Sequence, residues 1–265
     1  MSLITTDRAG NIARVTLADP ERRNALSVEM MTELVAAVDE LETDPGIRAV
    51  VLTNQGTTFC AGGDVASRAR EGQAIGNRAP SAVALFQRFA ASSKPYIGRL
   101  NGHCMGGGMG LAAAMDISIT VEEARFGFPE VRLGVAPAIV SVLCLPKMRL
   151  SDARDAFIRG RKFSAAEAVS MGLVNRVVPA DLLDSAIDEV IADILAASPA
   201  AIAATKRVLA EVPKMSAPDA VAWTAELSAE LFRGDEAQAG IAAFRGRKPA
   251  PWHESWPATA DAGSR

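Results

Sequence analysis

The chain has 265 residues, 49% of them hydrophobic, which suits one large domain, or one domain with an appended segment, around a sizeable core. Its 28 basic and 31 acidic side chains leave a net charge of −3, so no basic excess exists to neutralise a nucleic-acid backbone. Three cysteines without metal-type spacing, two histidines, no signal-peptide pattern and no membrane-length apolar run predict a cytoplasmic protein with free thiols, no metal and no membrane partner.

In chain order, Asn11 to Pro20 ("NIARVTLADP") reads as a strand ended by Asp19-Pro20. Ser27 has the chemistry of an N-cap. Met30, Met31, Leu34, Val35, Val38 and Leu41 then recur at helical spacing, which predicts an amphipathic helix over Val28 to Glu42. "IRAVVLTNQ" is a short apolar strand of the buried kind. "GTTFCAGGDV" is a Gly-rich loop directly after it. Residues 66–80 are polar and Gly-containing and read as a mobile loop. Ser81 to Ser92 is helical, "KPYIGRLNG" is a third strand and turn, Gly107 to Met115 a helix and "DISITVE" a fourth strand. "ARFGFPEVRLGV" is hairpin-like or irregular. Beyond Leu150 the chain turns Ala-rich and helical, with "LVNRVVP" as the last strand and an aromatic, basic ending, "IAAFRGRKPAPWHESWP". Strand–helix alternation over the first 150 residues predicts an α/β architecture.

Two Gly-rich turns follow two separate strands: Ala61-Gly62-Gly63-Asp64 and Gly106-Gly107-Gly108. Glycine lets backbone approach a ligand closely. The second turn opens a helix, whose free N–H groups favour negative charge. Brought together, the two turns would form an oxyanion hole for a carbonyl that becomes enolate-like. Either turn alone is also explained by tight packing. Gly108 to Ala113 matches the dinucleotide pattern G-x-G-x-x-A, but too long a turn precedes it and no second βαβ half follows. Glu130 stands between apolar neighbours, where desolvation would raise its pKa and suit it to proton transfer; a surface loop glutamate is the alternative. No G-x-S-x-G or S-x-x-K nucleophile motif occurs. His103 reads as a turn or core histidine, and Asp64 and Asp116 as turn caps.

Seven stretches, in this order and spacing, resemble the crotonase superfamily, the enoyl-CoA hydratases and isomerases: "RRNALS", "FCAGGD", "KPYIGRLNG", "GGGMGLAAAMDI", "ARFGFPEVRLGVAP", "GRKFSAAEAVSMGLVNRVVP" and "AAFRGRKPAPW". The resemblance implies a ClpP-like spiral of ββα units, with a core over residues 1–200 and a helical region over 201–265 for trimerisation and closure of the CoA site. It implies a homotrimer or hexamer, an acyl-CoA substrate, and no cofactor beyond the coenzyme A that the substrate carries. By position, the backbone N–H groups of Gly63 and Gly107 are the oxyanion-hole donors, and Glu130 moves the proton. Arg22, Ala25, Ala61, Gly62 and Asp64 lie along the CoA, and Phe244 and Lys248 close the site, in their own or a neighbouring subunit.

One position departs from the family pattern. Hydratases of the best-known type carry a second glutamate one turn into the helix after the glycines, and Gly110 stands there. The missing side chain either leaves room for a bulkier acyl group or removes a ligand for the water. The aspartate of dienoyl-CoA isomerases falls at Ala138. "EVRLGVAPAIVS" with "GGMGLAAAMD" is similar to a subgroup that hydrates methylglutaconyl-type CoA esters. There Arg132, or Arg68, Arg70 or Arg78, would bind the substrate carboxylate. Hydration of a 2-enoyl-CoA is the expected reaction, with double-bond isomerisation and non-catalytic acyl-CoA binding as alternatives.

Overall fold

The computed structural model describes residues 2–63 and 82–256. Strand β1 (Ile4–Ala9) pairs antiparallel with β2 (Ile12–Leu17). Helix α1 (Val28–Thr43) follows; Ser27 caps it by accepting from Met30 N. Its six buried residues are the six of the helical pattern. β3 (Ala49–Asn54) is buried at every residue, as expected for a central parallel strand. β4 (Thr58–Cys60), helix α2 (Ala82–Ala91), β5 (Tyr96–Leu100), β6 (His103–Met105), α3 (Gly107–Ala114), β7 (Ile117–Val121) and β8 (Arg125–Gly127) come next. A 3-10 turn over Pro129–Leu133 leads to α4 (Ala138–Cys144), α5 (Leu150–Arg159), β9 (Lys162–Ser164), α6 (Ala165–Ser170) and β10 (Arg176–Val178). Helices α7 (Leu183–Ala196), α8 (Pro199–Glu211), α9 (Ala217–Arg233) and α10 (Asp235–Arg245) complete the described chain.

The strands form two sheets. The larger has the order β1-β2-β3-β5-β7-β10, and the smaller β4-β6-β8-β9. After the β1–β2 hairpin and α1, three successive units (β3–β4, β5–β6 and β7–β8) each send one strand to the large sheet and the next to the small one before helical chain follows. This is the expected spiral of ββα units. Within the small sheet β4, β6 and β8 run parallel, and only β9 is antiparallel. Phe59, Cys104, Phe126 and Phe163 of this sheet are fully or almost fully buried.

Three sequence expectations need correction. Of the two readings of residues 124–135 the hairpin fails and the irregular one stands: β8 pairs with the distant β6 and β9, and a 3-10 turn over Pro129–Leu133 follows. β1 is not predicted, because only Ile4 in it is buried and its polar residues hide the pairing. The small-sheet strands have three residues each, too few for an alternation to register. Asp116 does more than end a turn. It accepts from Tyr96 N at 2.7 Å and pairs with Lys206 Nζ at 2.7 Å, tying α8 to the sheet.

Two side-chain clamps hold the loops that carry the site. The Asn54 amide donates to Gly56 O, Thr58 O and Asn101 O, and its Oδ1 accepts from Asn101 N, so it joins the β3–β4 turn to the β5–β6 turn. Buried Asn24 donates to Gln55 O at 3.1 Å and to Thr58 O at 2.7 Å, and accepts from Asp19 N at 2.8 Å. Its φ of 51° is one that asparagine tolerates better than most residues. Around it Ala61 N donates to Arg23 O and Leu26 N to Gly62 O. The 19–27 segment is thereby sewn to the first Gly-rich turn. Asn24→Ala leaves buried backbone groups unpaired and is expected to cost about 2–4 kcal/mol, read as a lower urea midpoint.

Candidate active site

The three segments singled out in the sequence leave the carboxyl ends of three neighbouring parallel strands. β4 runs into Ala61-Gly62-Gly63, β6 into Gly106-Gly107 and α3, and β8 into Phe128-Pro129-Glu130. Met105 pairs with Gly127, so β6 and β8 end level, and Cys60 pairs with Cys104, so β4 ends one residue earlier. Neighbouring strands lie about 4.8 Å apart, which brings the three exits within reach of one small group.

The two glycine turns touch backbone to backbone. Gly62 has φ 96°, and a Cβ there would stand 2.8 Å from Met105 O and 3.0 Å from Gly107 N. A Cβ at Gly107 would stand 3.3 Å from Gly63 N. Gly106, at φ 51°, turns the chain into α3 and donates its N–H to Gly127 O at 3.0 Å. Among the described residues no backbone acceptor takes the N–H of Gly63 or of Gly107. Both glycines line one cavity of about 340 Å³, together with Leu26, Phe86, Glu130 and Val140.

Glu130 is half-buried, and a Cβ at Gly106 would lie 3.3 Å from its Oε1. Its Oε2 is buried without a hydrogen-bond partner. Pro129 starts the 3-10 turn, and Gly134 ends it in the left-handed region. Desolvation raises the Glu130 pKa above the ordinary carboxylate value. The Cys60 and Cys144 thiols are buried and pushed up to about 12, so both stay protonated and inert as nucleophiles. Cys60 Sγ accepts from Gly62 N at 3.4 Å and steadies the turn. Among the described residues no cluster of three or more His, Cys, Asp or Glu is gathered that could hold a metal ion.

The remaining expected residues divide. Ala61 and Gly62 line the cavity. Arg22 and Ala25 sit in the adjoining turn, where the exposed Arg22 pairs with Asp19 at 2.9 Å. Asp64, with Arg68, Arg70 and Arg78, lies outside the described residues. The exposed Arg132 donates to Arg159 O at 3.5 Å and does not line the cavity. Phe244 is 85% exposed on α10, and neither it nor Lys248 lines the cavity of its own chain. His103 is exposed, and its Nδ1 accepts from Arg125 N.

At Gly110 the expectation of spare room fails. A Cβ there would meet Phe86 Cζ at 2.5 Å and Val140 Cγ1 at 3.1 Å. The Phe86 ring lies on the bare backbone and fills the place. Residues 66–90 and 132–145 are the segments expected to build the acyl pocket, and Phe86 and Val140 come from them; neither is singled out within its segment, and Leu26 is not expected at the cavity.

Residues 7–255 match the family model described as Enoyl-CoA hydratase/isomerase. A provisionally named enoyl-CoA hydratase of Thermus thermophilus is 38% identical over 244 residues, 91% of this chain and 96% of that protein. The short-chain-enoyl-CoA hydratase of Clostridium acetobutylicum is 30% identical over 91% of this chain and 94% of its own. The crystal structure of an enoyl-CoA hydratase/isomerase from Marinobacter aquaeolei superposes with a TM-score of 0.88 at 30% identity, covering 96% of this chain and all of that one.

Two predictions concern the intact site. Gly62→Ala puts a side chain into a left-handed conformation against Met105 O. It is expected to cost about 1–3 kcal/mol in a thermal melt and to part the two turns. For Glu130, the folded state holds the proton more tightly than the unfolded chain. The resulting penalty is absent below the ordinary value of 4.5 and grows as pH rises through the raised folded value. Glu130→Gln is therefore expected to melt above the native protein at about pH 8, with the gain gone at about pH 4.

Proposed function

Because the chain belongs to the enoyl-CoA hydratase/isomerase family, we propose that it adds water to a 2-enoyl-CoA thioester, using the Gly63 and Gly107 N–H groups and the Glu130 carboxyl. The observation that carries this reading is a buried carboxyl oxygen without a partner among the described residues, together with two backbone N–H groups that no described backbone acceptor takes, all from segments that line one cavity.

The thioester oxygen accepts from Gly63 and Gly107. As electron density moves from Cβ toward the carbonyl, these donors hold the enolate-like charge, each worth about 2.7–4 kcal/mol in comparable sites. Proximity to the start of α3 adds the helix dipole in the same sense. Glu130 takes a proton from water as its oxygen adds to Cβ, and a proton is returned at Cα. Burial raises the Glu130 pKa, which favours its accepting a proton, and the same carboxyl can then return it.

The CoA lies along Arg22, Ala25 and Ala61 to Asp64, next to the turn that Asn24 anchors. Residues 1–200 carry this site. Residues 201–265 serve assembly into a homotrimer or hexamer, a role supported by the exposed Leu209, Val221, Phe232 and Phe244. Phe244 and Lys248 then close the CoA site of a neighbouring subunit. No cofactor beyond the substrate's coenzyme A enters the reaction. No described helix is long and apolar enough to cross a membrane, which accords with a cytoplasmic enzyme.

Double-bond isomerisation is the second reading. It is favoured by Glu130 being the sole ionisable side chain on the described cavity wall, since moving a double bond needs one proton carrier and no held water. Turnover in labelled water separates the two: hydration leaves the label in a 3-hydroxyacyl-CoA, and isomerisation leaves no oxygen label. In either case Glu130→Gln is expected to lower kcat by on the order of 10²–10⁴-fold with acyl-CoA affinity retained. Full turnover by the variant would remove Glu130 from the mechanism.

A further inference from the structure

The Gly110–Phe86 contact reaches beyond packing. Phe86 is 6% exposed, yet it lines the cavity that Glu130 lines. It comes from α2, whose other buried residues are Leu85 and Phe89. The ring can lie where it does only because position 110 has no side chain. Val140 of α4 closes on the same place from a third element. The cavity wall continues through Leu133, Val135 and Ile139, all apolar. Among the described residues Glu130 alone brings an ionisable group to it.

We propose that Phe86, seated on the bare backbone of Gly110, is the specificity-determining residue of the acyl pocket: its ring ends the pocket and selects short, uncharged acyl groups. This rests on the acyl-CoA reading above. A water held at this wall would need two or more polar partners, and Phe86 and Val140 offer none. A charged acyl end would meet no counter-ion among the described residues of this wall, and desolvating it there carries a large penalty. An apolar acyl chain loses nothing polar and gains contact with the ring. The length it can reach is set by the ring, because protein interiors do not yield freely to added volume. Gly110 and Phe86 thus form one device in which each residue requires the other.

The test is calorimetric titration of the full-length protein with free CoA, butanoyl-CoA and decanoyl-CoA, saturated ligands that report binding without turnover. The native protein is expected to favour butanoyl-CoA. Phe86→Ala is expected to move the butanoyl-to-decanoyl affinity ratio about tenfold or more toward decanoyl-CoA, with free CoA unchanged. Phe86→Leu, which keeps more of the apolar volume, is expected to give a smaller shift in the same direction. Gly110→Ala pushes the ring into the cavity and is expected to weaken butanoyl-CoA binding. Phe86→Ala/Gly110→Ala is expected to lack that loss, because the added methyl then has room. The proposal is overturned if both Phe86 variants keep the native ratio, or if the Gly110→Ala loss persists unchanged without the ring. A native protein that binds neither acyl-CoA better than free CoA would instead overturn the acyl-CoA reading itself.

Discussion

Backbone pairing between β4, β6 and β8 is the constraint on which the site depends. Three parallel strands deliver three chain exits on one edge of the small sheet, within a residue of the same level despite an irregularity between Thr58 and Cys60, at a spacing set by hydrogen bonds rather than by side chains. Gly63, Gly107 and Glu130 follow directly from those exits. The strands have three residues each, so their own pairing is weak, and the surrounding clamps matter. Asn54 joins the turns that feed β4 and β6, and Asn24 ties the 19–27 segment to the exit of β4. The rigid part of the site is thus made by polar side chains that never face the ligand.

The second requirement is bare backbone. Two turns can share one cavity wall only if nothing projects between them. Gly62 and Gly106 adopt positive φ and leave the gap clear, and among the described residues no backbone acceptor takes the N–H groups of Gly63 and Gly107. An unpaired N–H at a protein surface is ordinarily satisfied by water. In an apolar cavity it becomes a standing demand for an oxygen. Glu130 makes a complementary demand: its buried oxygen has no partner, and ionising it there is disfavoured. A polarised carbonyl flanked by exchangeable hydrogen answers both, and this joins the geometry to the chemistry of the family.

Gly110 illustrates how an absent side chain can be a positive feature. Read along the chain, it is a helix glycine with a cost of roughly 1 kcal/mol relative to alanine. In the fold it is the seat of an aromatic ring. The interior stays filled, and the polarity of the cavity wall changes from what a side chain at that position could have brought.

Much of the molecule was legible in advance. The apolar spacing from Met30 to Leu41, the buried run of β3 and the glycines opening α3 each state their structure locally, because helix periodicity, strand burial and turn chemistry act over a few residues. The motifs in order pointed to the family, and with it to Gly63, Gly107 and Glu130. What local pattern could not carry was partnership across distance. Nothing near Phe86 says that its ring rests on Gly110, and nothing near Arg132 says that its guanidinium reaches Arg159 O. The small sheet had no signature of its own, since three residues make no period. The sequence by itself determined the longer periodic elements, the glycine turns and which groups can do chemistry. Only the tertiary structure decided which of them share a cavity, because strand register and close packing bring together residues that the chain keeps far apart.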